Sequence, residues 1–246
     1  MSYIIVIPTH KRNQMARDKT LRFLRKHDIP DNIIFIMPSE ETEWEEREGE
    51  NYNIIRGQSE SILDARNNII QYFDEGQQII EMDDDIDDII DKEGQGVVDL
   101  KAIIKRNFER SEGSLWGFCS NDNMYFSNGM LKIGLYSIIN SFLGYTNDKS
   151  IHLTMKEKED FERCILFWKK GKNCYKFTDY GIKTKYWKNK GGLQAKYNEA
   201  DRNAVQKKVA IEMYEKYPTL TFISERKNGK TDIKFKRQKT NKNVEI

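Results

Sequence analysis

The stretch Gln78-Ile79-Ile80-Glu81-Met82-Asp83-Asp84-Asp85 decides how this chain reads. Its first five residues read as a strand, which ends abruptly in three carboxylates. Adjacent carboxylates repel one another, and at a strand end they are costly without a cation. A hard divalent ion with oxygen ligands removes that repulsion, and Mg2+ or Mn2+ commonly bridges onward to phosphate oxygens. Alternation along an extended chain puts Asp83 and Asp85 on the same side. The competing interpretation is a solvated acidic turn, helped by Asp87, Asp88 and Asp91. The position at a strand end favours metal. A calcium loop of the EF-hand kind does not fit, because its glycine position holds Asp88 and its twelfth position Gly94.

Upstream, residues 3–8 form a β-branched apolar run, as in a strand buried on both faces, and residues 32–37 form a second. A helix is expected around 14–27 with Leu21 and Leu24 inward, an acidic surface segment over 40–50, and a brief third strand over 52–56. Ser59 or Ser61 can cap a helix whose apolar face is Ile62, Ala65, Ile69, Ile70 and Phe73, with Gly76 at its end. Alternating strands and helices predict an α/β fold: a Rossmann-like, mostly parallel central sheet with helices on both faces. In such sheets the ligand crevice lies beyond the carboxyl ends of the strands. Two loaded segments fall there, Pro8-Thr9-His10-Lys11-Arg12 and the aspartate triplet.

Downstream, the pattern predicts a helix over 98–111 with Leu100, Ile103, Ile104 and Phe108 inward, and strands around 114–119, 124–126 and 131–138. A helix from Lys158 to Gly171, a strand over 174–178 and a helix over 201–216 that stops at Pro218 follow. Asn228-Gly229 signals a type I′ turn in a C-terminal β-hairpin over 219–237. That register sets Phe222 opposite Phe235, with Lys234 and Lys236 on the other face. Residues 238–246 read as a disordered basic tail. Gly229-Lys230-Thr231 is no P-loop, because the required earlier glycine is Ser224.

The 246 residues carry 41 Lys+Arg and 39 Asp+Glu, a formal net charge of +2. With 38% hydrophobic residues, 12 Phe, 12 Tyr and 4 Trp, the chain can build a core, which excludes wholesale disorder. No apolar run approaches the ~20 residues of a membrane span, so no membrane partner is expected. Cys119, Cys164 and Cys174 cannot all pair and form no CxxC, which reads as a reduced, cytoplasmic protein. The near-neutral total hides a polarised chain: residues 163–246 carry a net +14 and residues 1–162 a net −12. A solvated surface explains the charges, but the length of the basic run suggests a polyanionic partner.

Ile5-Val-Ile-Pro-Thr-His-Lys-Arg12, then Ala65-Arg66-Asn67 on a helix, then Ile79 to Ile86 together resemble the nucleotide-sugar-binding half of glycosyltransferases with the type A fold. The resemblance covers about the first 90 residues. It implies a nucleotide-sugar donor and Mn2+ or Mg2+ as cofactor. It assigns the metal to Asp85 with Asp83, and the donor to Thr9, Arg12, Arg66, Asp83 and Asp84. Glu159-Asp160 opens a later helix, where inverting members carry a pair whose Asp acts as base toward the acceptor hydroxyl, which maps onto Asp160. Free N–H groups at a helix start hold such a carboxylate ionised, though first-turn acids are common in any helix. Many metal-dependent members add a C-terminal histidine to the metal; here none follows His152.

Trp187 to Gln194 is a basic glycine-containing loop, whose Lys190, Gly191 and Gly192 could approach phosphate. Trp116, with Phe118 and Tyr125, could wall an acceptor pocket, although strand aromatics are commonly core. The size, the basic C-terminal third and the Gly191-Gly192…Tyr197…Arg202 stretch are similar to the TET-associated glycosyltransferases of phages. That likeness implies a hydroxymethylated pyrimidine in DNA as acceptor and the host cytoplasm as location. Lys234, Lys236 and Arg237 are then the expected DNA contacts. One glycosyltransferase domain over 1–237 is expected, with 1–90 binding donor and 91–237 binding acceptor. The rival functions are transfer to a glycan or protein, nucleotidyl transfer, and nonenzymatic nucleic-acid binding.

Overall fold

The computed structural model describes residues 3–39, 44, 47–56, 59–120, 123, 129–184, 199–226 and 229–238. Four strands from the first third pair in parallel: β1 (Tyr3–Thr9), β2 (Ile34–Pro38), β3 (Asn53–Ile54) and β4 (Gln78–Met82). They continue into β5 (Asp88–Asp91), β6 (Leu115–Cys119), β7 (Leu131–Gly134), β8 (Phe142–Thr146) and β9 (Cys174–Lys183). The result is one nine-stranded sheet of order β3-β2-β1-β4-β8-β6-β9-β5, with β7 also on β9. Strands β1, β2, β3, β4, β6 and β9 point one way, and β5, β7 and β8 run against them. The expected mostly parallel α/β architecture is therefore present, and both halves of the chain contribute to one sheet.

Helices cover both faces. On one side lie α1 (residues 13–26, with a π-helical stretch Arg17–Leu21) and α3 (Leu100–Ser111). On the other lie α2 (Ile62–Tyr72), α4 (Glu159–Lys169) and α5 (Glu199–Lys216). Period-two alternation sorts each strand between them: Ile5, Ile7, Ile80 and Met82 face α1 and α3, while Val6 and Ile79 face α2 and α4. Ser61 caps α2, its hydroxyl accepting the Asp64 N–H, and Asp99 caps α3 in the same way. Among the described residues, no helix is long and apolar enough to cross a membrane.

The structure extends or corrects the sequence reading at five places. Strand β9 runs to Lys183 rather than 178, and β7 stops at Gly134 rather than 138. Strand β8 reads poorly because a glycine interrupts it, and β5 because aspartates flank its two isoleucines. The expected strand over 124–126 lies outside the described residues. The hairpin of β10 (Thr221–Glu225) and β11 (Thr231–Phe235) is shifted by one residue, pairing Thr221 with Phe235 and Phe222 with Lys234.

The cause of that shift is turn length. The Arg226 N–H donates to Lys230 O and the Gly229 N–H to Arg226 O, both at 2.9 Å, with Gly229 at φ 75°. Three residues therefore separate the last paired positions, where a type I′ turn has two. Residues 227 and 228 lie outside the described residues. The slip turns Ile233 and Phe235 toward the core, Phe235 lying 5.0 Å from the Phe161 ring, and leaves Phe222 exposed beside Lys234.

Gly144 shows why β8 tolerates a poor strand former. It pairs with Trp116 across β6, and a Cβ there would stand 2.3 Å from the Trp116 ring. Trp116 is fully buried, edge-on to Phe108 and Phe118. Gly144→Ala is expected to destabilise the fold by ~1–3 kcal/mol or more through overpacking, read as a lowered urea midpoint. Trp116→Phe in the same chain should recover part of the loss, because it vacates the clashing atoms.

Candidate functional site

The sheet order carries a topological switch. From β1 the chain moves outward through β2 to β3, then returns to the opposite side of β1 as β4. The segments leaving β1 and β4 meet beyond the carboxyl ends of the strands, the place where open α/β sheets bind ligands. The loop after β1 holds Arg12, and β4 runs straight into Asp83-Asp84-Asp85.

The three carboxylates differ in burial. Asp84 turns inward, where its carboxylate accepts the Thr9 hydroxyl at 2.9 Å and pairs with Arg12 at 3.2 Å. Burial pushes Asp84 up to about 7 against the pull of Arg12 and Thr9. Asp83 and Asp85 stay partly open, with side chains 38% and 19% exposed. Arg12 Nη2 donates to Asp85 at 2.7 Å, and the Thr184 hydroxyl donates to the Asp85 carbonyl at 2.9 Å. Thr20, in the π-helical stretch of α1, donates to the Asp83 carbonyl at 2.7 Å and accepts the Ile86 N–H at 3.0 Å. The acidic turn is thus fastened to α1 and to the end of β9.

Beneath it lies a charged core. Glu81 is wholly buried on the α2–α4 face of β4. Its carboxylate accepts Arg66 Nη1 from α2 at 2.6 Å, Arg163 Nη1 from α4 at 2.6 Å and the Tyr145 hydroxyl from β8 at 2.5 Å. Burial works to raise this carboxyl, but Arg163 and then Arg66 outweigh it and hold it below the ordinary range. Arg66 continues upward, its Nη2 donating to Asp83 at 3.0 Å. Its expected direct contact with a donor is corrected here: Arg66 is 1% exposed, with both terminal nitrogens engaged, so it acts as the buried support of Asp83.

Glu159 and Asp160 open α4 after Lys158, which sits at φ 65°. Asn140 Nδ2 donates to Glu159 at 2.9 Å, and the Phe161 N–H donates to Asp160 at 2.9 Å. Burial, then the charge of Asp160, pushes Glu159 up to about 7, with Arg66 opposing. Burial also raises Asp160, against the nearby Lys158. The next acid, Glu162, is structural: it is buried and accepts Thr154 N–H, Met155 N–H, Lys216 and Tyr217.

The remaining expected residues scatter. Trp116 cannot wall an acceptor pocket, because it and Phe118 are packed inside the core. Lys190, Gly191 and Gly192 lie outside the described residues, as does Tyr125. Lys234, Lys236 and Arg237 are exposed on the C-terminal hairpin, and Lys236 Nζ donates to the Pro218 carbonyl at 2.7 Å. Among the described residues, no group of three or more His, Cys, Asp or Glu forms a metal site. The donor set at the triplet is two partly open carboxylates, Asp83 and Asp85. It fits a hard ion such as Mg2+, which takes one or two carboxylates and completes its sphere with water and substrate phosphates.

Sequence reading missed Glu81, Arg163, Tyr145, Thr20, Thr184 and Asn140 as parts of this site. The signal for Glu81 was present: one carboxylate inside an otherwise apolar strand needs a buried partner. Nothing local named which arginines supply it.

No protein-family model matches this chain, and no curated protein matches it. Among solved structures, an active-site mutant of LgtC aligns with a TM-score of 0.40 and 11% identity, over 65% of this chain and 69% of that one. The galactosyltransferase LgtC in complex with donor and acceptor sugar analogues aligns at 0.39 and 11%, over 68% and 64%. The match thus spans about two thirds of the LgtC chains. A putative glucose-1-phosphate thymidylyltransferase from Bacillus anthracis aligns at 0.34 and 11%, over 83% and 82%. Similarity at this level carries no functional argument, which has to come from the site itself.

Removing the central carboxylate tests the charged core. Glu81→Gln leaves Arg163 buried without a counter-charge and Arg66 with Asp83 alone, so it should cost ~3–5 kcal/mol. Chemical denaturation should report the loss, and a variant as stable as wild type would remove Glu81 from this role.

Proposed function

We propose that this protein is a glycosyltransferase that uses a nucleotide-sugar donor and a divalent ion. The observation that supports the reading is Asp83 and Asp85, both partly open just past the carboxyl end of β4, beside the switch between β1 and β4. Two partly open carboxylates at that position suit a hard ion on a diphosphate. Asp83 and Asp85 would hold Mn2+ or Mg2+, which when bound supplies neutralisation of the diphosphate's charge. Arg12, 16% exposed and anchored on Asp84 and Asp85, would meet the donor phosphates or ribose, with Thr9 holding Asp84 behind it. The Glu159–Asp160 pair would supply the base for the acceptor hydroxyl, with Asp160 the member that the family resemblance names.

For the acceptor we propose a hydroxymethylated pyrimidine in DNA, as in the phage TET-associated glycosyltransferases. The basic C-terminal third and the exposed Lys234, Lys236 and Arg237 support a polyanion. Residues 1–237 would act as one domain, in the cytoplasm where nucleotide sugars and DNA are available.

Thermal stabilisation across a panel of UDP-, GDP- and dTDP-sugars with Mn2+ tests the donor site, and product mass separates sugar from nucleotide transfer. Asp85→Asn should abolish Mn2+-dependent donor binding in calorimetry while keeping the melting temperature, because it relieves repulsion. Unchanged affinity would remove Asp85 from the ion.

The DNA surface has its own test. Replacing Lys234, Lys236 and Arg237 by Gln should weaken duplex binding and flatten its salt dependence, by ~0.9 in the log–log slope for each phosphate no longer neutralised. Donor affinity should not change. Wild-type DNA binding in the triple variant would leave the hairpin a solvated surface, and no DNA affinity in wild type at low salt would bring a glycan or protein acceptor forward.

A further inference from the structure

The acid pair at the start of α4 is not symmetric. Asp160 is spent locally: its carboxylate accepts the Phe161 N–H of its own helix, and Lys158, then Arg66, are the opposing charges on it. Glu159 instead accepts the side-chain amide of Asn140 at 2.9 Å. Asn140 is 7% exposed, and its Oδ1 has no hydrogen-bond partner. An amide buried with one end unmet is a cost that needs an explanation outside packing. The carbonyl of the adjacent Ser141 accepts the Asp83 N–H at 3.0 Å. The turn that aims Asn140 at Glu159 therefore also fixes the first carboxylate of the triplet. Arg66 of α2, whose Nη2 binds Asp83, acts on both acids of the pair and does not separate them. The turn through Asn140 and Ser141 is the link that leads from Glu159 alone to Asp83.

We infer that Glu159, rather than Asp160, takes the proton of the acceptor hydroxyl, and that Asn140 is its positioning residue. This rests on the glycosyl-transfer reading. As the acceptor oxygen bonds to the anomeric carbon, its proton passes to a Glu159 carboxylate oxygen. The bond from that carbon to the diphosphate breaks, and its electron pair leaves on the nucleoside diphosphate. A carboxyl that burial has pushed up to about 7 suits this work near neutral pH.

Full-length wild type, Glu159→Gln, Asp160→Asn and Asn140→Ala would be compared for kcat, donor affinity and melting temperature. The probes are the nucleotide-sugar panel with Mn2+ and duplex DNA containing hydroxymethylcytosine. Glu159→Gln is expected to lose ~10²–10⁴ in kcat with donor affinity unchanged, and Asp160→Asn to lose less than tenfold. Asn140→Ala should lower kcat without moving donor affinity, a split that a merely structural role would not produce. Should Glu159→Gln fold poorly, Glu159→Asp keeps the carboxylate and should retain part of the activity. A large loss in Asp160→Asn beside near wild-type Glu159→Gln would overturn the assignment. Wild type that turns over no nucleotide sugar on any acceptor would instead overturn glycosyl transfer, and the assignment with it.

Discussion

One buried carboxylate organises this protein. Glu81 sits in the middle of the sheet with no access to water, and three other elements meet on it: α2 through Arg66, α4 through Arg163 and β8 through Tyr145. Burying such a charge is unfavourable unless opposite charges and hydrogen bonds surround it. Both arginines are themselves buried, and the Nε atom of each lacks a hydrogen-bond partner. The cluster is therefore weak evidence of stability and stronger evidence of specification. Its hydrogen bonds tie α2, α4 and β8 to β4 directly beneath the site.

The site inherits its geometry from that cluster. Arg66 spans two carboxylates, one in the core and one at the site, so the position of Asp83 follows from the position of Glu81. Arg12 does the same on the outer side, joining Asp84 to Asp85. Thr20 and Thr184 tie the backbone of the turn to α1 and β9. Three adjacent carboxylates are held by cations and hydroxyls contributed from three directions, leaving two of them partly open to a ligand. This is preorganisation of charge, in which the folded chain has already met the cost of gathering like charges before any substrate arrives.

Much of the frame was legible locally. The apolar runs of β1, β2 and β4, the Ser61 cap and the inward faces of α2 and α3 follow from periodicity and capping, and the structure has them where the residues imply. Reading failed where a residue's role depends on a distant neighbour. Trp116 looks like a pocket wall until Gly144 is set against it, and Gly144 looks like a strand breaker until Trp116 explains it. The hairpin register failed on a single residue of turn length.

The sequence by itself determined the alternation of strand and helix, the carboxyl-end position of the aspartate triplet, and the separation of charge along the chain. These rest on interactions within a few residues, where backbone geometry leaves few choices. Only the tertiary structure decided that β8 inserts antiparallel between β4 and β6, that Glu81 takes Arg66 and Arg163, and that Asn140 reaches Glu159 rather than Asp160. Glu81 and Arg163 lie 82 positions apart. Many residues of the right charge could have served, and the choice among them belongs to the packing of whole helices and strands against one sheet.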